Sequence, residues 1–184
     1  MASIRDELPD FRFSEVGSLV RALKDSDTVK ETHPNDNLEH LGPFRLPDFQ
    51  RPRVWTLEQN VKLIESMWKG IPIGTYSVNQ IQNFEMESET FQKYDSLLLD
   101  GQQRIAAILD YMGDKFAVFG NLFSDLSVPD QRHFEQLKFP YRLTHFQEIE
   151  DITEYYDTMN FGGVEHAPEQ RATLGYSRNR APAP

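Results

Sequence analysis

Five consecutive residues, Asp100-Gly101-Gln102-Gln103-Arg104, concentrate more chemical potential than any other short run in the chain. They follow Leu97-Leu98-Leu99 and precede Ile105-Ala106-Ala107-Ile108-Leu109-Asp110-Tyr111-Met112, which Gly113 closes. The leucine run reads as a strand buried on both faces and the second run as a helix, so the five residues form a sharp strand-to-helix turn. Such a turn aims the helix's free N–H groups and positive dipole end at the strand's carboxyl edge, where α/β folds bind phosphates. Gly101 permits close backbone approach to a ligand, Gln102 and Gln103 offer amide hydrogens, and Arg104 can grip phosphate oxygens in a fork. Asp100 has the chemistry to hold Mg²⁺ or to orient an attacking hydroxyl. Asp-Gly ahead of a helix is equally an ordinary turn with a cap, and residue types alone leave both readings open.

A second run, Asn160-Phe161-Gly162-Gly163, holds two glycines able to take a positive φ and a series of N–H donors. It reads either as a second wall of the phosphate site or as a plain helix-terminating turn. Neither the Gly-x-x-x-x-Gly-Lys-Ser/Thr loop nor the Gly-x-Gly-x-x-Gly fingerprint occurs, so any phosphate cradle here is of another kind. The chain has no Cys, which excludes disulfides, zinc-thiolate sites and thiolate catalysis. Nineteen Lys and Arg against 29 Asp and Glu give a formal charge of -10. That charge repels DNA at long range, so a DNA contact would be local and salt-sensitive, built around Arg45, Arg51, Arg53, Arg178 or Arg180.

The elements that must position these residues are partly legible. Val16, Leu19, Val20 and Leu23 at helical spacing behind Ser14 predict a first amphipathic helix. The polar stretch Asp25 to Pro43 reads as a loop. Phe44 to Gln50 can be extended, and Thr56-Leu57-Glu58-Gln59 is a capping box that opens a helix through Val61, Ile64 and Trp68, stopped by Gly70 and Pro72. Trp55, next to that helix start, reads as core rather than as a ligand platform. A strand is expected around Thr75 to Ile81, a solvated hairpin loop over Phe84 to Thr90, and a strand from Tyr94 to Leu99. Further strands over Lys115 to Phe119 and Lys138 to Thr144, and helices over Asp130 to Leu137 and Ile149 to Thr158, complete an α/β (α+β mixed) pattern. With 184 residues, 13 of them Phe, the chain can bury one real core. Residues 13–175 are expected to form that single domain, between a flexible N-terminus, 1–12, and a disordered tail, 176–184. No signal-like or membrane-spanning apolar run is visible, so the expected compartment is the cytoplasm, with no membrane partner.

Four blocks in order give the chain a family likeness: Pro47-Asp48-Phe49-Gln50-Arg51-Pro52-Arg53-Val54-Trp55, Gly70-Ile71-Pro72-Ile73-Gly74, Leu99-Asp100-Gly101-Gln102-Gln103-Arg104, and Asn160-Phe161-Gly162-Gly163-Val164. Together they resemble the DGQQR family, the N-terminal domain of GmrSD-type modification-dependent restriction enzymes, which looks like the ParB/sulfiredoxin fold. The resemblance implies a small mixed sheet flanked by helices that binds and hydrolyses a nucleoside triphosphate, ATP or GTP, with Mg²⁺, coupled to recognition or cleavage of modified DNA. It puts the phosphates at Gly101, Gln102, Gln103 and Arg104, brings Gln50 and Arg51 beside them and makes Asn160, Gly162 and Gly163 a further wall. Asp100 then becomes the essential carboxylate and metal ligand, with Arg104 as its catalytic partner. Without the resemblance, Arg51 and Arg53 are ordinary surface charges.

Two alternatives stay in view. One is a kinase that phosphorylates a hydroxyl on a modified DNA base, with Asp100 accepting the hydroxyl proton. The other is a non-catalytic module in which nucleotide occupancy switches a surface for DNA or a nuclease partner. His133, His145 and His166 are isolated and form no His-Asn-His-like constellation, so self-contained DNA cleavage is not expected; the cysteine chemistry of sulfiredoxin relatives is excluded.

Overall fold

The computed structural model describes residues 14–82 and 85–161. Among these, six strands form one sheet: β1 (Ser14–Val16), β2 (Glu39–Leu41), β3 (Phe44–Leu46), β4 (Tyr76–Asn79), β5 (Leu97–Asp100) and β6 (Tyr141–Thr144). The order across the sheet is β1-β6-β4-β5-β3-β2. Pairing is mixed: β6 with β4 and β3 with β5 run parallel, and the other neighbours antiparallel. Helices α1 (Asp27–Thr32), α2 (Leu57–Trp68), α3 (Glu89–Tyr94), α4 (Gln102–Met112), α5 (Val128–Glu135) and α6 (Ile149–Phe161) surround it. This is the mixed α+β architecture that the sequence pattern predicts.

The central strand β5 shows why the sheet needs cover on both sides. Leu97, Leu98 and Leu99 are all buried and alternate between two apolar clusters. Leu98 joins Tyr76, Val78, Ile64, Ile105 and Ile108 on the face covered by α2, α4 and α5. Leu97 and Leu99 meet Ile152 and Tyr155 of α6 on the other. The α6 face also carries polar groups that are fully met: Asn79 donates to the Tyr94 and Phe146 carbonyls and accepts from Phe146 N and Thr144 Oγ1. Buried amides of this kind fix register because a shifted strand would leave them unpaired.

The Thr56 capping box forms as its spacing predicts: Thr56 accepts from Gln59 N, and the Gln59 side chain accepts from Thr56 N. Elsewhere local pattern gives way to tertiary pairing. Ser14–Val16 is a strand against Tyr141–Leu143, not the start of a helix, and after Gly17 only a 3₁₀ turn, Val20–Lys24, follows. Val20 and Leu23, three apart, suit that turn as well as they suit an α-helix. The stretch 25–43, expected to be a loop, contains α1 and β2, and the hairpin loop expected over 84–90 gives way at Glu89 to α3, capped by Ser88. Phe116 and Val118 are buried in alternation like a strand, yet positive φ at Asp114 and Phe119 bends the chain, and only a bridge from Val118 to Asn121 remains.

A buried ion pair holds the 33–41 segment to the sheet. Arg45 on β3, 3% exposed, donates from Nε to Asp36 Oδ2 at 2.6 Å and from a terminal nitrogen to Asp36 Oδ1 at 3.2 Å. Its other terminal nitrogen donates to the Asp95 carbonyl at 2.9 Å, and His40 Nε2 lies 3.0 Å from Asp36 Oδ2. Burial by itself would push the Asp36 carboxyl up, but the hydrogen bonds from Arg45, His40 and Leu38 N and the Arg45 charge outweigh it and hold the carboxyl well below the usual carboxylate range. A carboxyl depressed in the folded state adds stability above its unfolded pKa of 3.8 and loses it as the pH falls from there through the folded value. Acid unfolding is therefore expected to steepen below pH 4, and Asp36→Asn to give up about 2 kcal/mol at neutral pH while flattening that acid limb. Urea melts between pH 2 and pH 7 check it.

Candidate functional site

The turn after β5 is built on one glycine. Gly101 has φ +97 and caps α4 without a side-chain hydrogen bond to the first turn. A Cβ there would lie 2.4 Å from Tyr76 Cβ, so only glycine lets the helix end pack against β4. Among the described residues no side chain caps the first-turn N–H groups of α4, and the positive end of the helix dipole lies behind them.

Two side chains of this turn brace the surroundings. Arg104 donates to the Ile73 carbonyl at 2.9 Å and to Asp100 Oδ2 at 2.8 Å, tying the 70–74 turn, the end of β5 and α4 together. A Cβ on Gly74 would come within 2.7 Å of that guanidinium, so the glycine makes room for it. Gln103, 7% exposed, accepts from both Val54 N and Trp55 N and donates to the Pro52 carbonyl. It holds the 52–55 segment against α4. The residue types suggested that Gln103 offers its amide to a ligand; the structure gives that amide to the protein's own backbone.

The remaining groups surround a cleft of about 210 Å³. Gln50, Arg51 and Trp55 form one side, Asp100 through Arg104 the floor, and Asn160 of α6 the opposite side. Trp55, expected in the core, is half-buried and walls this cleft instead. The wall is held from α6: the Tyr156 hydroxyl accepts from Arg51 N at 3.3 Å, and its ring meets Phe49 edge-on at 5.0 Å. Burial pushes the Tyr156 phenol up, and Asp157 and Asp100 push the same way against the Arg51 N–H and charge. Tyr156 and Asp157 belong to the neighbourhood of the site although no motif in the sequence marks them. Asn160 lies in the last turn of α6 among the described residues, its side-chain nitrogen donating to the Tyr156 carbonyl at 2.8 Å.

Of the expected site residues, Gln50, Arg51, Asp100, Gly101, Gln102, Gln103, Arg104 and Asn160 come together at this cleft. Gly162 and Gly163 lie outside the described residues. No cluster of three or more metal-ligating side chains occurs among the described residues, and no helix there is long and apolar enough to cross a membrane. The Gln50 Oε1 atom is shielded and has no hydrogen-bond partner among the described residues.

No curated protein and no solved structure matches the chain. A family model does: the GmrSD restriction endonuclease, N-terminal domain, over residues 30–142. The match includes the 47–55, 70–74 and 100–104 segments that Gln103 and Arg104 lock together, and it ends before Asn160. With well over half of its length matched, the chain belongs to the family of GmrSD restriction endonuclease N-terminal domains.

Proposed function

We propose that the chain binds a nucleoside triphosphate, ATP or GTP, with its phosphates at the N-terminus of α4, and splits or transfers the terminal phosphoryl group in the service of restricting modified DNA. The observation that carries this reading is the convergence of an uncapped helix end, two arginines and one carboxylate on a single cleft, cross-braced from the 47–55 and 70–74 segments. Backbone N–H groups and Arg51 supply donors to phosphate oxygens, and the brace through Gln103 and Arg104 spares them reorganisation when charge develops.

Mg²⁺ fits the donor set in the mode where one carboxylate and the substrate's phosphates share it: Asp100 Oδ2 is taken by Arg104, and Oδ1 faces no hydrogen-bond donor among the described residues. When bound there, it would neutralise phosphate charge. Where Asp100 does not hold the metal, its Oδ1 can instead take the proton of an attacking oxygen as the bond from that oxygen to the terminal phosphorus forms and the bond to the bridging oxygen breaks. The nucleoside diphosphate leaves with that bridging oxygen, its charge facing the α4 N–H groups.

The test is release of phosphate, and labelling of an acceptor, from each of the four common triphosphates with Mg²⁺, with and without plain and hydroxymethylated DNA. Turnover that Asp100→Ala lowers at least 100-fold, a typical loss for a general base, is the expected result. Label appearing on the DNA identifies a kinase; stoichiometric binding without turnover identifies a nucleotide-switched module acting with a nuclease partner. Absence of nucleotide binding would remove the reading altogether.

A further inference from the structure

The cleft at the end of α4, about 210 Å³, is smaller than the roughly 300–1,000 Å³ of sites that enclose a small organic ligand. It has room for a chain of phosphates and not for a sugar and a base as well. A groove of about 610 Å³ adjoins it, and Gln50, Arg51 and Gln102 are walls of both. Leu38, Leu46, Pro47 and Pro52 give the groove apolar surface, and Glu39 and Asp48 give it carboxylates.

Charge fixes which end of a nucleotide goes where. The cleft has Arg104, which Asp100 meets at 2.8 Å, and the helix N–H groups; the groove has Arg53, which meets Glu39 at 3.4 Å, and Asp48, which forms no ion pair among the described residues; Arg51 borders both. The helix end draws phosphates to the cleft, and Asp48 disfavours them in the groove. Gln50, in the shared wall, carries the shielded Oε1 that has no donor among the described residues. An unmet acceptor in that position is costly, and a phosphate oxygen, itself acceptor-only, cannot meet it. A hydroxyl can, once a turn of the half-buried Gln50 side chain presents Oε1 to it.

We infer that the groove between residues 37–39 and 46–53 is the nucleoside subsite of the phosphate cleft, and that it selects ribonucleotides, the ribose hydroxyls donating to Gln50 Oε1 and to the Asp48 carboxylate. This rests on the nucleotide reading above. The sugar is the discriminating element because its hydroxyls are common to every ribonucleotide, and the preference is therefore independent of the base.

Equilibrium binding of the four ribonucleoside triphosphates and their 2′-deoxy counterparts tests it, with inorganic triphosphate as a probe that has neither sugar nor base. Each ribonucleotide is expected to bind roughly tenfold more tightly than its deoxy form, one hydrogen bond's worth of discrimination. Asp48→Ala is expected to close most of that gap while inorganic triphosphate affinity stays within about twofold, the distant charge being screened, and Gln50→Leu, in the wall of both spaces, is expected to bring the ribo-to-deoxy affinity ratio towards one. Equal affinities for ribo and deoxy forms, or a preference that follows the base instead of the sugar, would overturn the sugar assignment while triphosphate binding kept the phosphate site standing. Failure of inorganic triphosphate and of every nucleotide to bind would overturn both.

Discussion

Gly101→Ala is expected to lower stability by about 3–5 kcal/mol, a large part of the roughly 5–15 kcal/mol that holds a domain folded. Two costs add. The backbone at φ +97 is left-handed, which a Cβ makes unfavourable by about 1–2 kcal/mol. The new methyl would also sit 2.4 Å from Tyr76 Cβ and 3.2 Å from Tyr76 Cα. Tyr76 cannot step aside: its ring is held by Phe44, Phe139 and Tyr141 at 5.4, 4.7 and 5.1 Å between centroids, and its backbone belongs to β4. Overpacking of such a site costs about 1–3 kcal/mol. Gly70 is the control, because its φ of +71 imposes the conformational penalty while nothing lies within 4 Å of a Cβ there. Gly70→Ala should cost about 1 kcal/mol. Urea unfolding of both variants measures the difference, and a Gly101→Ala protein as stable as Gly70→Ala would mean that β4 does not press on the turn.

That turn also shows how far sequence reasoning reaches. Leu97 to Gly113 was legible because strand, glycine, helix and stop signal are contiguous, and each residue's local preference agrees with its place in the sheet. The Thr56 capping box was legible for the same reason. Ser14–Val16 was not, because what makes it a strand is β6, more than a hundred residues later. Asp27–Thr32 and Glu39–Leu41 hid in a polar stretch because their order comes from distant partners: Gln92 donates to the Thr32 carbonyl beside buried Val29, and Glu39–Leu41 pairs with the β3 strand whose Arg45 buries its charge against Asp36. At the site, residue type located Asp100 through Arg104 but could not distinguish a glutamine facing a ligand from one facing the protein. Gln103 proved to be a brace and Gln102 a wall. Gln50 and Arg51 acquired a place only through family likeness, and Trp55 and Tyr156 had no local signal, since their positions follow from how α6 and the 47–55 segment meet.

Arg104→Ala is expected to weaken inorganic triphosphate binding roughly 100-fold or more in the absence of Mg²⁺, equivalent to about 3 kcal/mol. The loss has three sources. One positive charge leaves the cleft, the Ile73 carbonyl loses its donor, and Asp100, whose Oδ2 was neutralised at 2.8 Å, presents a bare negative charge to the phosphates. The third source predicts non-additivity. Asp100→Ala alone removes a carboxylate already paired and should leave metal-free binding intact or slightly tighter, although turnover with Mg²⁺ is lost. The double variant Asp100→Ala, Arg104→Ala should bind triphosphate about tenfold better than Arg104→Ala, because the stranded charge is gone and only the cation and the brace are missing. Titration of the four proteins with inorganic triphosphate, without and with Mg²⁺, closes the cycle. A double variant that binds no better than Arg104→Ala would mean that Asp100 does not face the ligand, and the role of metal ligand or proton acceptor proposed for it would have to pass to another group.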